Sequence, residues 1–151
     1  MPIYGNGRNV RDWLHVEDHA DAVWSVLQNG SPGRTYNVGG NAELENISVV
    51  RRICDRLDER LPDSGERRRL ITHVRDRAGH DARYAIDATR IRRELGWRPS
   101  RSFDRGLSQT VDWYIENTDW WKRIRAKRYD GRRLGVASEG PDPADGQLAA
   151  V

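Results

Sequence analysis

The stretch E-D-H-A-D-A-V-W-S-V-L-Q-N-G-S-P-G-R-T-Y-N-V-G-G, Glu17 to Gly40, changes its period part-way, and that change sets the fold class. Ala20, Val23, Trp24 and Leu27 recur at helical spacing, Glu17 and Asp18 favour a first turn, and Gly30 ends the run, which predicts a helix over about 17–29. The Ser31-Pro32-Gly33 turn then leads into Thr35-Tyr36-Asn37-Val38, a β-rich run closed by Gly39-Gly40, which predicts a strand over about 35–38. A helix followed by a short strand is half of an α/β unit.

Upstream, Ile3 and Tyr4 precede a Gly5-Asn6-Gly7 turn, predicting a short extended piece that folds back on itself, and Arg11 to Val16 form a second extended run. Downstream, a polar loop over 41–46 precedes an amphipathic helix with Val50, Ile53, Cys54, Leu57 and Leu61 on one face, Ser48 as its cap and Pro62 as its stop. A charged loop, 63–69, leads to a strand over about 70–74. Asp87 caps a short helix carrying Ile91 and Leu95, with Gly96 at its C-terminal end and Pro99 beyond. Ser102 caps a last strong helix striped by Phe103, Leu107, Val111 and Tyr114. The pattern weakens after Asn117, and from Val136 the chain has almost no apolar content, so a disordered tail is expected there.

Between the strand at 71–74 and the helix opening at Asp87 lies D-R-A-G-H-D-A-R-Y-A-I-D, Asp76 to Asp87. It packs Arg77, Arg83, His80 and Tyr84 around a flexible Gly79. A guanidinium fork grips a phosphate through two parallel hydrogen bonds, a histidine donates or accepts, and a glycine lets backbone approach a ligand closely. The inventory suits an anion of phosphate size; the plain alternative is a set of solvated arginines.

Composition narrows the classes. Only 36% of the 151 residues are apolar and 32% are charged, which reads as a water-exposed protein with a thin core. A net charge of +3 attracts anionic ligands but falls short of a nucleic-acid footprint, and Lys122 and Lys127 are the only lysines among 26 basic residues. Cys54 is the single cysteine, which rules out an internal disulfide and a cysteine-cluster metal site. His15 and His19 stand four apart without an evident third ligand, so no metal is assigned. Apolar runs are far too short for a membrane span and the first residues lack a signal-peptide pattern, so the expected compartment is the cytoplasm, with neither membrane nor nucleic acid as partner. The six tryptophans are expected to pack in the core.

Five ordered motifs carry a resemblance: R-D-W-L-H-V-E-D-H-A (Arg11 to Ala20), T-Y-N-V-G-G (Thr35 to Gly40), the Asp76 to Asp87 block, E-L-G-W-R-P (Glu94 to Pro99) and T-V-D-W-Y (Thr110 to Tyr114). Over residues 1 to 130 the chain closely resembles the C-terminal part of dTDP-glucose 4,6-dehydratases, nucleotide-sugar enzymes of the extended short-chain dehydrogenase/reductase superfamily. The resemblance implies an α/β fold: residues 1–40 as the last helix-strand unit of a Rossmann-type NAD-binding sheet, 41–126 as a small mixed α/β substrate-binding domain, and 127–151 as a basic and then disordered tail. It implies that Arg11 and Arg77 hold the substrate diphosphate, that Pro2, Ile3 and Tyr4 line the nucleotide pocket, and that Asn46 and His80 make further polar contacts. Ala78 stands where the family usually has proline, which loosens this loop.

The resemblance also implies a redox-neutral reaction. Hydride leaves carbon 4 of dTDP-glucose for enzyme-bound NAD, water is eliminated across carbons 5 and 6, and the hydride returns to carbon 6. The residues for this chemistry are not in the sequence. Gly5-Asn6-Gly7 is not followed by a correctly spaced third glycine and a long helix, and no tyrosine has a lysine four positions on. No catalytic and no cofactor-binding residue is therefore assigned. NAD falls to a missing N-terminal half, and a homodimer is implied for the full-length family. A helix and edge strand without their sheet should leave apolar surface exposed. Alternative expectations are a non-catalytic nucleotide-sugar-binding or dehydratase-docking module, a fragment of a related nucleotide-sugar epimerase or dehydratase, and a truncated reading frame.

Overall fold

The computed structural model describes residues 1–128, with side chains through residue 126. Two short two-stranded ladders and five α-helices make up the described residues. Strand β1 (Pro2–Tyr4) runs parallel to β4 (Thr72–Val74), and β2 (Val10–Asp12) runs antiparallel to β3 (Glu43–Glu45). The helices are α1 (Val16–Asn29), α2 (Asn46–Arg60), α3 (Thr89–Leu95), α4 (Phe103–Glu116) and α5 (Thr118–Arg128), with two short 3-10 turns, Pro62–Ser64 and Arg67–Leu70, between α2 and β4. The class is mixed α/β, as expected.

Local chemistry explains the helix ends. His15 caps α1, its Nδ1 accepting from the Glu17 N–H at 3.3 Å. Ser102 accepts from the Arg105 N–H at the start of α4, and Gly96 closes α3 in the left-handed conformation at φ 68°. Asp87 accepts from the Thr89 N–H at 2.8 Å, one residue before the cap position of α3. Ser48 does not cap α2. The helix begins earlier, because the Asn46 and Ile47 N–H groups already donate to the carbonyls of Asn9 and Gly7 at 3.0 and 2.9 Å.

Other expectations are corrected. The β1 piece does not fold back on itself: the Gly5–Gly7 turn carries the chain from one ladder to the other. Thr35–Val38 forms no strand, because a strand is defined by a ladder and no described strand lies alongside to complete one. The polar loop over 41–46 instead contains β3, whose Glu-Leu-Glu sequence conceals a short edge pairing. The charged loop 63–69 holds most of the two 3-10 turns, and helix continues beyond Asn117 as α5, with Trp121 Nε1 donating to the Tyr114 carbonyl at 2.9 Å. The expected tail lies, from residue 129 on, outside the described residues.

One core joins α1 to α3: Ala22, Ala88, Ile91 and Trp97 are buried, with Leu14, Val26, Tyr36, Val38 and Leu95 packed around them. Ile3, Ile47, Val49, Cys54 and Val111 are also buried. Much of the arginine excess is structural: Arg52 and Arg60 of α2 pair with Asp104 and Asp112 of α4, and Arg67 and Arg68 pair with Asp58 and Asp55 of α2. Trp97 is the tryptophan that fits the core expectation; Trp24, Trp113 and Trp120 are exposed.

Helix α1 packs on a different face from the one its periodicity suggests. Asp18 and Ala22 are buried, whereas Val16, Val23, Trp24 and Leu27 face solvent, Leu27 at 72% exposure. These four side chains leave a contiguous apolar face of α1 open to solvent. Substituting Trp24→Glu and Leu27→Glu is expected to change the stability of this chain by no more than about 0.5 kcal/mol. Ala22→Glu on the buried face should unfold it, and circular dichroism melts of the two proteins check the contrast.

Gly40 sits where the chain passes close to itself. A Cβ there would lie 2.0 Å from the Trp13 carbonyl oxygen, a backbone atom that cannot rotate away. Gly40→Ala is expected to destabilise by about 3 kcal/mol. Gly79→Ala, in open space but at φ 67°, should cost only about 1 kcal/mol. Urea unfolding of both variants tests the difference.

Candidate functional site

The pairing of β1 with β4 and of β2 with the loop after β4 brings distant residues together. Gly5 N–H donates to the Val74 carbonyl at 2.9 Å, extending the β1–β4 ladder toward Asp76. Gly5 stands at φ 56°, and a Cβ there would come within 2.8 Å of Asp76 Oδ2, so the glycine makes room for that carboxylate. Further on, Val10 N–H donates to the Ala82 carbonyl at 2.8 Å and Tyr84 N–H to the Val10 carbonyl at 3.0 Å. The 76–84 loop is thereby stitched along β2, the strand that carries Arg11.

The Arg11 guanidinium lies over the Tyr84 ring, 4.4 Å from its centroid, and donates to the carbonyls of Val10 at 2.7 Å and Asp81 at 3.0 Å. The Arg77 guanidinium lies over the Tyr4 ring at 5.8 Å. His80 Nδ1 meets Asp76 Oδ1 at 2.7 Å, and the imidazole is edge-on to Tyr4, with centroids 6.1 Å apart. That bond fixes the ring and turns Nε2 away from Asp76. The same hydrogen bond, helped by the Arg77 N–H, holds the Asp76 carboxyl below the usual carboxylate range. The Tyr84 phenol is raised above its ordinary value by its hydrogen bond to Asp81 and by that carboxylate's charge, while Arg11 and Arg77 both act on it in the opposite sense.

Charge pairing separates the arginines. Arg83, part of the sequence inventory, is neutralised by Glu43 across β2 and β3, with Nε donating at 2.9 Å. Arg11 and Arg77 form no salt bridge among the described residues. The Arg11 charge is held by an aromatic face and two backbone carbonyls and the Arg77 charge by an aromatic face, which leaves further N–H groups of both for an anion.

The other candidates divide. Tyr4 belongs to the cluster, Pro2 is exposed at its edge, and Ile3 is buried beside Gly7 and Ile47 as a packing residue. Asn46 opens α2, half-buried, its N–H on Asn9; no hydrogen bond joins its side chain to the arginines among the described residues. Sequence reasoning left Asp76, Asp81 and Tyr84 without a role, and Asn9, whose Nδ2 donates to the Asp81 carbonyl at 3.0 Å. A separate open cleft of about 380 Å³, lined by Gly40, Arg92, Arg98 and residues 99–102, contains none of the predicted site residues.

The sequence model of one family, GDP-mannose 4,6 dehydratase, matches residues 1–110. The chain belongs to this family. Within the GDP-mannose 4,6 dehydratase family the chain is 55% identical over 136 residues to a probable dTDP-glucose 4,6-dehydratase of Sinorhizobium fredii; the match covers 90% of this chain and 39% of that protein. Among solved structures, a dTDP-glucose 4,6-dehydratase from Bacillus anthracis in complex with NAD is similar at TM-score 0.70 and 46% identity, over 82% of this chain and 37% of that one. A dTDP-glucose 4,6-dehydratase from Streptomyces venezuelae with NAD and TYD bound gives TM-score 0.74 and 42% identity, over 82% and 36%. The chain therefore spans well under half the length of the relatives it matches, and its fold is that of extended short-chain dehydrogenase/reductases.

Family relatives solved with NAD raise the question of where that cofactor would sit. The residues described do not fit it. The Gly5–Gly7 turn runs between two short strands with no helix following, and its N–H groups at Gly5 and Gly7 already donate to Val74 and Tyr4. Gly39 and Gly40 are pressed against Asp12, Ile86 and Trp13, leaving no cradle for a pyrophosphate.

Proposed function

We infer that this chain is the C-terminal, substrate-gripping part of a dTDP-glucose 4,6-dehydratase, the enzyme class that forms dTDP-4-keto-6-deoxyglucose for deoxysugar synthesis. One observation carries the reading: Arg11 lies over the Tyr84 ring and Arg77 over the Tyr4 ring, both charges act on the Tyr84 phenol, and neither arginine is neutralised by a carboxylate among the described residues. Two guanidinium forks, one from strand β2 and one from the loop after β4, suit the two phosphates of a nucleoside diphosphate sugar. His80, oriented by Asp76, and Tyr4 supply a polar and an aromatic neighbour for the nucleotide. Hydride and proton transfer belong to residues outside this chain, which by itself is inactive. Residues 1–40 form the end of the dinucleotide-binding domain and 41–126 the substrate-binding domain.

The exposed apolar face of α1 supports the same division. Val16, Val23, Trp24 and Leu27 would pack on the NAD-binding sheet, supplied by an N-terminal half that brings the cofactor. The full assembly works in the cytoplasm as a homodimer.

Amide hydrogen exchange with and without dTDP-glucose tests the grip. Protection is expected over residues 2–11 and 76–84. Protection confined to residues 92–102, around the separate cleft, would place the ligand elsewhere and end this reading.

A further inference from the structure

We propose that Tyr84, anchored by Asp81, is a positioning residue that holds the Arg11 guanidinium ready for an anion; the inference rests on the diphosphate grip proposed above. An arginine on a long flexible stem loses rotamer freedom when it binds, unless something has already fixed its plane. Here both are fixed. The tips of the fork are tied to the Val10 and Asp81 carbonyls, at 2.7 and 3.0 Å, and its flat face lies on the Tyr84 ring.

The ring itself is pinned at both ends. Its backbone N–H is bonded to Val10, on the strand that carries Arg11, and its hydroxyl donates to the Asp81 carboxylate. Asp81 therefore serves twice: its carbonyl receives Arg11 and Asn9 Nδ2, and its carboxylate receives Tyr84. Tyr84 is 51% exposed, so core packing does not account for a tyrosine held this firmly. What its ring covers is the guanidinium.

Tyr84→Leu removes both the stack and the anchor, and Tyr84→Phe removes only the anchor. In the ligand-free chain, the Arg11 Nε–Hε resonance is expected to carry a ring-current shift in the wild type and in Tyr84→Phe. In Tyr84→Leu it should move to the position of an unstructured arginine while the α4 amides stay in place, which shows that the fold is intact. Binding of dTDP-glucose should weaken about fivefold in Tyr84→Leu and about twofold in Tyr84→Phe. An Arg11→Ala, Tyr84→Leu double variant should bind no more weakly than Arg11→Ala alone, because Tyr84 acts through Arg11.

An unchanged Arg11 resonance in Tyr84→Leu, or additive losses in the double variant, would overturn the inference. If the wild-type chain fails to bind dTDP-glucose, the diphosphate reading falls, and the Arg11 resonance still decides whether Tyr84 positions that side chain.

Discussion

Asp18→Ala is expected to cost about 3 kcal/mol, a large share of the about 5–15 kcal/mol that a small domain holds in total. Among the described residues Asp18 is the charged residue most completely removed from water, at 2% exposure. It accepts from Ser100 Oγ at 2.6 Å, from the Arg101 N–H at 3.2 Å and from Arg101 Nη1 at 2.8 Å. These bonds tie α1 to the loop that leads into α4. Removing the carboxylate orphans the Ser100 hydroxyl and the Arg101 N–H, and among the described residues leaves Arg101 with Glu17, on the exposed side, as its charge partner.

The same group sets a pH dependence. Burial alone would raise the Asp18 carboxyl, but the bonds from Ser100 and Arg101 outweigh it and hold its titration below the ordinary value. The unfolded chain therefore takes up this proton first as acid is added. The stability it contributes is present above the unfolded value, about 3.9, and is lost as pH falls through the native value. Thermal melts should show Asp18→Ala well below the wild type at pH 7, with the gap closing under strongly acidic conditions. A pH-independent gap would mean that the ion pair is not the source of the loss.

Arg11→Ala with Arg77→Ala is expected to weaken dTDP-glucose binding by about 100-fold or more. A hydrogen bond to a charged group contributes about 1.5–3 kcal/mol, and the double variant removes both forks. Arg83→Ala is the informative control: its charge is already matched by Glu43, so affinity should change by less than about threefold. Equal losses from all three arginines would point to general electrostatic attraction in place of a grip. Raising the salt concentration would then erase binding in the wild type and the variants alike.

How far the sequence announced this structure depends on whether each feature is local. The caps at Ser102 and Gly96 and the helix over 17–29 were legible because capping and periodicity operate within a few residues. The strand over 35–38 was not realised, since a ladder needs a neighbour and none is beside it among the described residues. Strand β3 was hidden because Glu43-Leu44-Glu45 has the composition of a loop, and only its pairing with β2 makes it a strand. Trp24 and Leu27 show the limit of periodicity: it finds an apolar face but does not say what covers it. In the site, Arg11 and Arg77 came from motif resemblance and chemistry. The roles of Asp81 and Tyr84 depend on the Val10–Arg83 bridge, a contact between segments some seventy residues apart in number that no local pattern reveals.

The central claim is that the diphosphate grip is built from this chain's own residues. Calorimetric titration of the 151-residue chain with dTDP-glucose, with inorganic pyrophosphate as competitor, tests it most directly. The account predicts saturable heat that pyrophosphate abolishes and that moderate salt reduces without eliminating. A chain that keeps its helical content yet gives no heat with dTDP-glucose would contradict it.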